Sequence, residues 1–263
     1  MSANIHPTAV VDPLAKIAED VEIGPYAVVG PEVTIGPGTK IWHHATIWGL
    51  TEIGAKCEIY PYCSIGMQTQ DLKFKGGKPG VRIGDRNVFR EYVSINAATN
   101  DGDFTVIGND NYILAYGHVG HCCKIGNHLI ASNGIAFAGH VHVGDHVTIG
   151  GGGTAIHQFC QIGDYSFIGG CSKVEQDIPP YMLGDGNPAK IRMFNKVGLE
   201  RNGFTPERMS VVKFLFKTFY REGLNRQQAI EKARSSEFSD TADLQAYVAF
   251  VEASERGVTG GSK

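Results

Sequence analysis

The sequence predicts a parallel β-helix of six-residue repeats followed by a small helical domain, and three observations carry that reading. Aliphatic residues recur at every sixth position, glycine follows many of them, and the pattern stops at a proline pair before helical spacing begins. Stepping by six from Ile5 through Val11, Ile17 and Ile23 to Ile149 gives 25 positions, of which 22 are apolar and 19 are Ile or Val. An α-helix repeats near 3.6 residues and a strand at 2, so neither explains a period of six. A chain coiled as a triangular prism does. Each hexad forms one side and sends one side chain to the axis, and about 18 residues complete a coil that stacks on the next as parallel strands. β-Branched residues suit such stacked extended positions. Gly follows the aliphatic at 24, 30, 36, 54, 66, 84, 108, 120, 126, 144 and 150, where a cramped backbone gains most from a missing Cβ.

The breaks in the column are informative. Asp71 and Gly77 fall in an excursion near 67–82, and Asp101 falls in a smaller one near 97–105. A solenoid tolerates both, because a loop leaving a corner need not disturb the stacked coils. The phase then slips by one, to Ile156, Ile162, Ile168 and Val174, which places an extra residue in Gly150–Gly153. Those four glycines lack the Gly-Lys-Ser/Thr that would complete a phosphate loop, so they read as corner geometry. After Val174 the run Asp177-Ile-Pro-Pro-Tyr181 ends the ladder. Thr205-Pro206-Glu207 then reads as a cap, a first-turn proline and an acidic first turn. It leads into Met209, Val212, Leu215, Phe216 and Phe219 at helical spacing, and Gly223 ends that helix. Two more helices are expected at about 226–235 and 241–255, with a frayed end over 257–263. Residues 1–190 thus form the β-helix and 191–263 the helical domain, whose helices can cap the solenoid's open end.

The composition narrows the function. The 263 residues are 42% hydrophobic and 19% charged, a soluble globular balance, and the net charge of −3 argues against nucleic acid as a partner. The chain shows no signal peptide and no apolar run long enough to span a bilayer, which points to the cytoplasm. Six cysteines without a CxxC pair read mostly as small buried hydrophobes rather than zinc ligands. The histidines are placed more suggestively. His118, His121, His140, His142, His146 and His157 fall on consecutive coils, so several imidazoles are expected along one corner beside the long excursion. Two chemistries fit such a set: zinc held between subunits, as in hexapeptide-repeat carbonic anhydrases, or a general base of near-neutral pKa. A non-catalytic binding scaffold is a third possibility.

Several segments sharpen the choice. Gly66-x3-Gln70-Asp71-Leu72-Lys73, His118-x2-His121, Ala138-Gly139-His140-Val141, Ala155-Ile156-His157-Gln158-Phe159-Cys160 and Gly169-Gly170-Cys171-Ser172 resemble, in order, those of the acyl-ACP:UDP-N-acetylglucosamine O-acyltransferases. So do Asp177-Ile-Pro-Pro-Tyr181, Gly186-Asn187 and Gly198-Leu199-x3-Gly203-Phe204, and the likeness spans nearly the whole chain. The resemblance implies a left-handed coil, a homotrimer with sites between prisms, and no cofactor. It also implies transfer of an (R)-3-hydroxyacyl chain from acyl carrier protein to the 3-hydroxyl of UDP-N-acetylglucosamine, the first step of lipid A biosynthesis.

Residue by residue, the resemblance makes His121 the general base and the Gly139 N–H an oxyanion donor, with no metal. It makes Gln70, Asp71, Lys73, His118, His140, His157, Gln158, Asn195 and Arg201 substrate contacts, and it puts Gly170 at the far end of an acyl groove that admits a long chain. Lys190, Arg192, Lys196, Lys213 and Lys217 are plausible docking cations for an acidic carrier protein. The chain departs from the family pattern in four places. Cys122 stands where an Asp usually follows the base, Ile95-Asn-Ala-Ala-Thr99 replaces Ile-His-Arg-Gly-Thr, only Arg201 of a paired arginine remains, and an extra residue lies in Gly150–Gly153. These departures leave a 3-amino sugar, N-acylated instead, as the alternative acceptor.

Overall fold

The computed structural model describes residues 2–262. Its backbone follows the six-residue column. Among the described residues, short strands form three sheets of eleven, nine and eight strands. Successive strands step from the first sheet to the second, to the third and back again. The first sheet begins at Asn4–Ile5, the second at Val10–Val11 and the third at Lys16–Ile17. Register is parallel and stacks like on like: Ile5 pairs with Ile23, Ile23 with Ile41, Ile41 with Ile59, and Ile59 with Phe89.

The apolar column residues from Ile23 onward are buried almost completely and line the axis of the prism. Each contributes roughly 1.5–3 kcal/mol by leaving water. The third residue after many of them turns the corner at positive φ, as at Tyr62, Tyr92, Cys122, His140 and Phe159. The axis also holds two hydrogen-bonded asparagines. Asn87 donates to the carbonyls of Gly84 and Gly108, and Asn111 donates to that of Gly126. Their side-chain oxygens accept from the N–H groups of Asn111 and Leu129 one coil on.

Both excursions leave the same edge. The first runs between the second-sheet strand Ser64–Met67 and the third-sheet strand Gly80–Ile83. The second runs between Ser94–Asn96 of the second sheet and Phe104–Ile107 of the third. The edge between these two sheets is therefore the one that carries loops. The phase slip lies elsewhere. Gly152 and Gly153, both at positive φ, bulge between Thr148–Ile149 of the first sheet and Ala155–Ile156 of the second.

Beyond the prolines, Met182–Asp185 continues the first sheet and pairs antiparallel with Lys190–Phe194, which ends it. Four helices follow: α1 (Lys196–Arg201), α2 (Pro206–Tyr220), α3 (Arg226–Arg234) and α4 (Ala242–Ala253). The α2 cap is as expected, with Thr205 accepting from the Arg208 N–H. α1 has no apolar periodicity of its own and was not legible in the sequence. Arg208 holds α2 to α4 through a two-pronged pair with the buried Asp243, which also accepts from the Tyr181 hydroxyl. Residues 257–262 are not frayed. The Asp177 N–H donates to Gly257, the Thr259 N–H donates to Asp177, and the Ser262 N–H donates to Ile191. These two isolated bridges, to Asp177 and Ile191, account for the burial of Thr259; Lys263 lies outside the described residues.

Candidate active site

The site is built on the loop-bearing edge. After the second-sheet strand His118–Val119, the chain turns through Gly120, His121 and Cys122 into the third sheet. One coil up, the same turn carries Gly139 and His140. The His121 and His140 rings meet edge to face at 5.2 Å between centroids, and His140 stacks on Phe159 of the next coil at 4.9 Å.

The two excursions close over His121. Its imidazole is only 13% exposed, and its Nδ1 lies 3.1 Å from Thr99 Oγ1 and 4.0 Å from Asp71 Oδ2. The Thr99 hydroxyl in turn donates to Asp71 Oδ2 at 3.2 Å. Asp71 Oδ1 accepts from the Lys73 N–H, and this bond, with the nearby imidazole, holds its carboxyl below the usual range. The carboxylate can only accept, so the threonine's single proton points to it and the imidazole Nδ1–H must donate to Thr99. That fixes the tautomer and leaves the Nε2 lone pair free on the opposite side, against Gly139. A Cβ on Gly139 would lie 2.3 Å from His121 Nε2 and Cε1, so only glycine gives the ring its place. Among the described residues, no hydrogen bond takes the Gly139 N–H. Burial lowers the His121 pKa, with Asp71 pulling the other way and His140 adding to the fall. The imidazole is thus neutral and basic near pH 7.

Of the other expected site residues, His118 is half-buried on its strand, its Nδ1 2.8 Å from Ser94 Oγ. Gln70 and Lys73 are exposed on the first excursion. Asn96, at the family-departure segment, is buried and clamps that excursion by donating to the Gln68 carbonyl. The expected stack of several imidazoles along one corner is present in His121 and His140, with His157 on the same edge one coil on, while the remaining histidines lie elsewhere. His121 and His140 share that corner with Phe159, whereas His146 stacks with His128 and Tyr165 on another corner and His142 lies on a third-sheet strand. The cause is a phase offset: His146 follows a third-sheet column residue, His140 a second-sheet one. His157 is exposed on the loop-bearing edge and donates from Nδ1 to the Gln158 carbonyl.

Three expected residues lie apart. Gly170 sits between Phe167–Ile168 of the first sheet and Lys173–Val174 of the second, where a Cβ would meet the Gly151 carbonyl at 2.9 Å. Asn195 and Arg201 line a groove over the first sheet with Ile130, Phe167 and Leu183. The Asn195 amide is committed there, donating to the Tyr165 carbonyl and accepting from the Gly198 N–H to start α1. In a triangular prism the edge between the second and third sheets is opposite the first, so Arg201 and His121 of one chain face away from each other. Sequence reasoning missed Thr99 as a site residue. Its signal was slight: a lone hydroxyl after Asn96-Ala-Ala98, beside an excursion.

Comparison with known proteins agrees with this architecture. Residues 177–259 match the family model described as UDP N-acetylglucosamine O-acyltransferase, domain 2, and residues 2–37 and 14–47 match bacterial transferase hexapeptide repeats. The chain is 48% identical over 258 residues to the acyl-(acyl-carrier-protein)–UDP-N-acetylglucosamine O-acyltransferase of Stenotrophomonas maltophilia, covering 96% of each chain. It is 47% identical to the enzyme of that name from a Janthinobacterium species, covering 97% of this chain and 98% of the other. Among solved structures, LpxA of Acinetobacter baumannii superposes with a TM-score of 0.93 at 41% identity, covering 97% of this chain and 99% of that one. The UDP-N-acetylglucosamine acyltransferase of Francisella novicida does so with a TM-score of 0.94 at 36% identity, covering 98% and 95%. The chain belongs to the acyl-ACP–UDP-N-acetylglucosamine O-acyltransferase family of hexapeptide-repeat enzymes.

Proposed function

We propose that this chain, as a cytoplasmic homotrimer, transfers an (R)-3-hydroxyacyl group from acyl carrier protein to the 3-hydroxyl of UDP-N-acetylglucosamine, opening lipid A synthesis. The observation that carries the mechanism is the Asp71–Thr99–His121 chain, which leaves Nε2 as a base aimed at the Gly139 backbone. Nε2 takes the proton from the sugar hydroxyl as its oxygen bonds to the thioester carbon. The carbonyl oxygen becomes an oxyanion, and the Gly139 N–H donates to it. Collapse breaks the C–S bond, and the imidazolium returns its proton to the leaving sulfur. An alcohol needs a base and a thioester is already activated, so these steps use no metal.

The trimer is supported by the placement of the site residues. The β-helix of residues 1–190 holds His121, His140 and His157 on one edge, and the helical domain of 191–263 holds Arg201 on the opposite side. A neighbour whose first sheet faces this edge completes the site, and a contact between unlike faces that closes on itself builds a ring. Arg201 then reaches the nucleotide's phosphates as a two-pronged donor. Gln70, Asp71, Lys73, His118, His140, His157 and Gln158 contact sugar and acyl chain in this reading, and Gly170 keeps the groove open for a long chain.

The test is turnover by wild type and His121→Ala with UDP-N-acetylglucosamine and its 3-amino analogue, using acyl-ACPs of several lengths. Loss of at least about 100-fold in the variant, with its circular dichroism unchanged, is the expected result. Full activity in His121→Ala refutes the base. Dependence of turnover on a metal that a chelator removes refutes the metal-free steps. Preference for the 3-amino sugar replaces the acceptor.

A further inference from the structure

One residue at this edge, Cys122, has no part in the transfer reaction, and it stands beside two imidazoles that do. The ligand atoms of His121, Cys122 and His140 all lie within 4.8 Å of one another, and all three side chains are half-buried rather than sealed. Cys122 and His140 occupy the same corner position on consecutive coils, each at φ +59°. The spacing of the coils therefore sets their separation, and the Cys122 N–H is pinned to Thr105 Oγ1 at 2.9 Å. This is a rigid pair of imidazole and thiol, with a second imidazole meeting it edge on.

We propose that His121, Cys122 and His140 bind Zn2+ and that the bound ion switches acyl transfer off. Three atoms with no separation above 4.8 Å lie within about 2.8 Å of a common point, against Zn–N and Zn–S bonds of about 2.0–2.3 Å, so side-chain shifts under about 1 Å complete the set. Two imidazoles and a thiolate suit zinc over the hard cations Mg2+ and Ca2+. The Cys122 thiol releases its proton to solvent on binding, and water fills the fourth position. The support behind the ligands is also in place. A metal-bound imidazole commonly donates its other N–H toward a carboxylate, and His121 does so through Thr99 to Asp71. Inhibition follows from the lone pair: Nε2 bound to zinc cannot take the sugar's proton. That half of the proposal rests on His121 being the base. The thiol is the decisive ligand, and it stands where the family usually has Asp.

The experiment uses the metal-free, full-length protein. Titration with Co2+ as a spectroscopic stand-in should give a thiolate-to-cobalt charge-transfer band and the strong visible bands of a tetrahedral ion. Cys122→Ser and His140→Gln should lose the charge-transfer band or the tetrahedral bands respectively, and Zn2+ affinity, read by competition with a chromophoric chelator, should fall more than about 100-fold. Cys171→Ser, at an exposed thiol on another corner, should leave both unchanged. In the transfer assay, Zn2+ should inhibit wild type reversibly, with chelator restoring the rate, and the inhibiting concentration should rise in Cys122→Ser by the same factor as the affinity falls. Absence of the charge-transfer band, or its survival in Cys122→Ser, overturns the site. Tight binding without inhibition overturns the switch. The optical titration needs no turnover, so an inactive metal-free enzyme would sink the transferase reading while leaving the metal site to be decided separately.

Discussion

Gly139→Ala isolates the geometry of the proposed base from its chemistry. The variant keeps the His121 imidazole, the Thr99 and Asp71 chain and the backbone N–H at 139, and adds one methyl. That methyl would lie 2.3 Å from Nε2 and Cε1, where ordinary contact begins at 3.4 Å, so the ring must retreat by about 1.1 Å. The retreat moves Nε2 off the acceptor hydroxyl and strains the 3.1 Å bond from Nδ1 to Thr99. A misplacement of about 1 Å costs roughly 100-fold, or ~2.7 kcal/mol in the barrier. Fold stability should change little, because the methyl's nearest contacts are all with one partly exposed ring. The assay is kcat/KM for both substrates alongside a thermal melt. A loss near 100-fold with Tm within a few degrees of wild type is expected. A variant within about threefold of wild type would refute the claim that Nε2 works against Gly139, whatever His121→Ala does.

Other perturbations probe neighbouring parts. Thr99→Val keeps the shape and removes the hydroxyl between Asp71 and His121; kcat should fall roughly tenfold, the worth of one hydrogen bond, with the KM for the nucleotide sugar unchanged. Burial dominates the fall in the His121 pKa, and the protonated ring is inactive, so the acid limb of kcat/KM should lie below the ordinary imidazole value of about 6.5. Asp71→Asn removes the charge that raises this pKa, and the limb should move to still lower pH while the plateau drops; a limb moving upward would refute the assignment. Lys213 and Lys217 are exposed on α2, and reversing both charges should raise the KM for acyl-ACP; an unchanged value removes them as docking points. Asp243→Ala strands Arg208 and the Tyr181 hydroxyl and should destabilise the helical domain by roughly 2–3 kcal/mol, read by denaturant unfolding.

Much of the site was legible because the fold is periodic. Counting from the column assigns every residue to a side or a corner, and the same count shows that both excursions and His121 share an edge. It also separates His140 from His146, since one follows a second-sheet column residue and the other a third-sheet one. The stack holds for the histidines that follow second-sheet column residues, and the count places His142 and His146 elsewhere. The short helix α1 and the bridged segment 257–262 escaped this count. Neither carries a periodic apolar signal, and both are held by residues far away in sequence: the Asn195 side-chain amide donates to the Tyr165 carbonyl at the α1 cap, and the backbone of 257–262 bonds to Asp177 and Ile191.

The sequence by itself determined the prism, because one aliphatic side chain every six residues has a single way to leave water. It also determined the edge that bears the chemistry, because the loops, His121 and His140 all follow second-sheet column residues. Only the tertiary structure decided which atoms meet there. Asp71 and Thr99 belong to separate excursions with no period, and they reach His121 only because both loops fold back over the coil above. Cys122 meets His140 for a different reason, since the two hold the same corner position on consecutive coils and the coil spacing sets their contact.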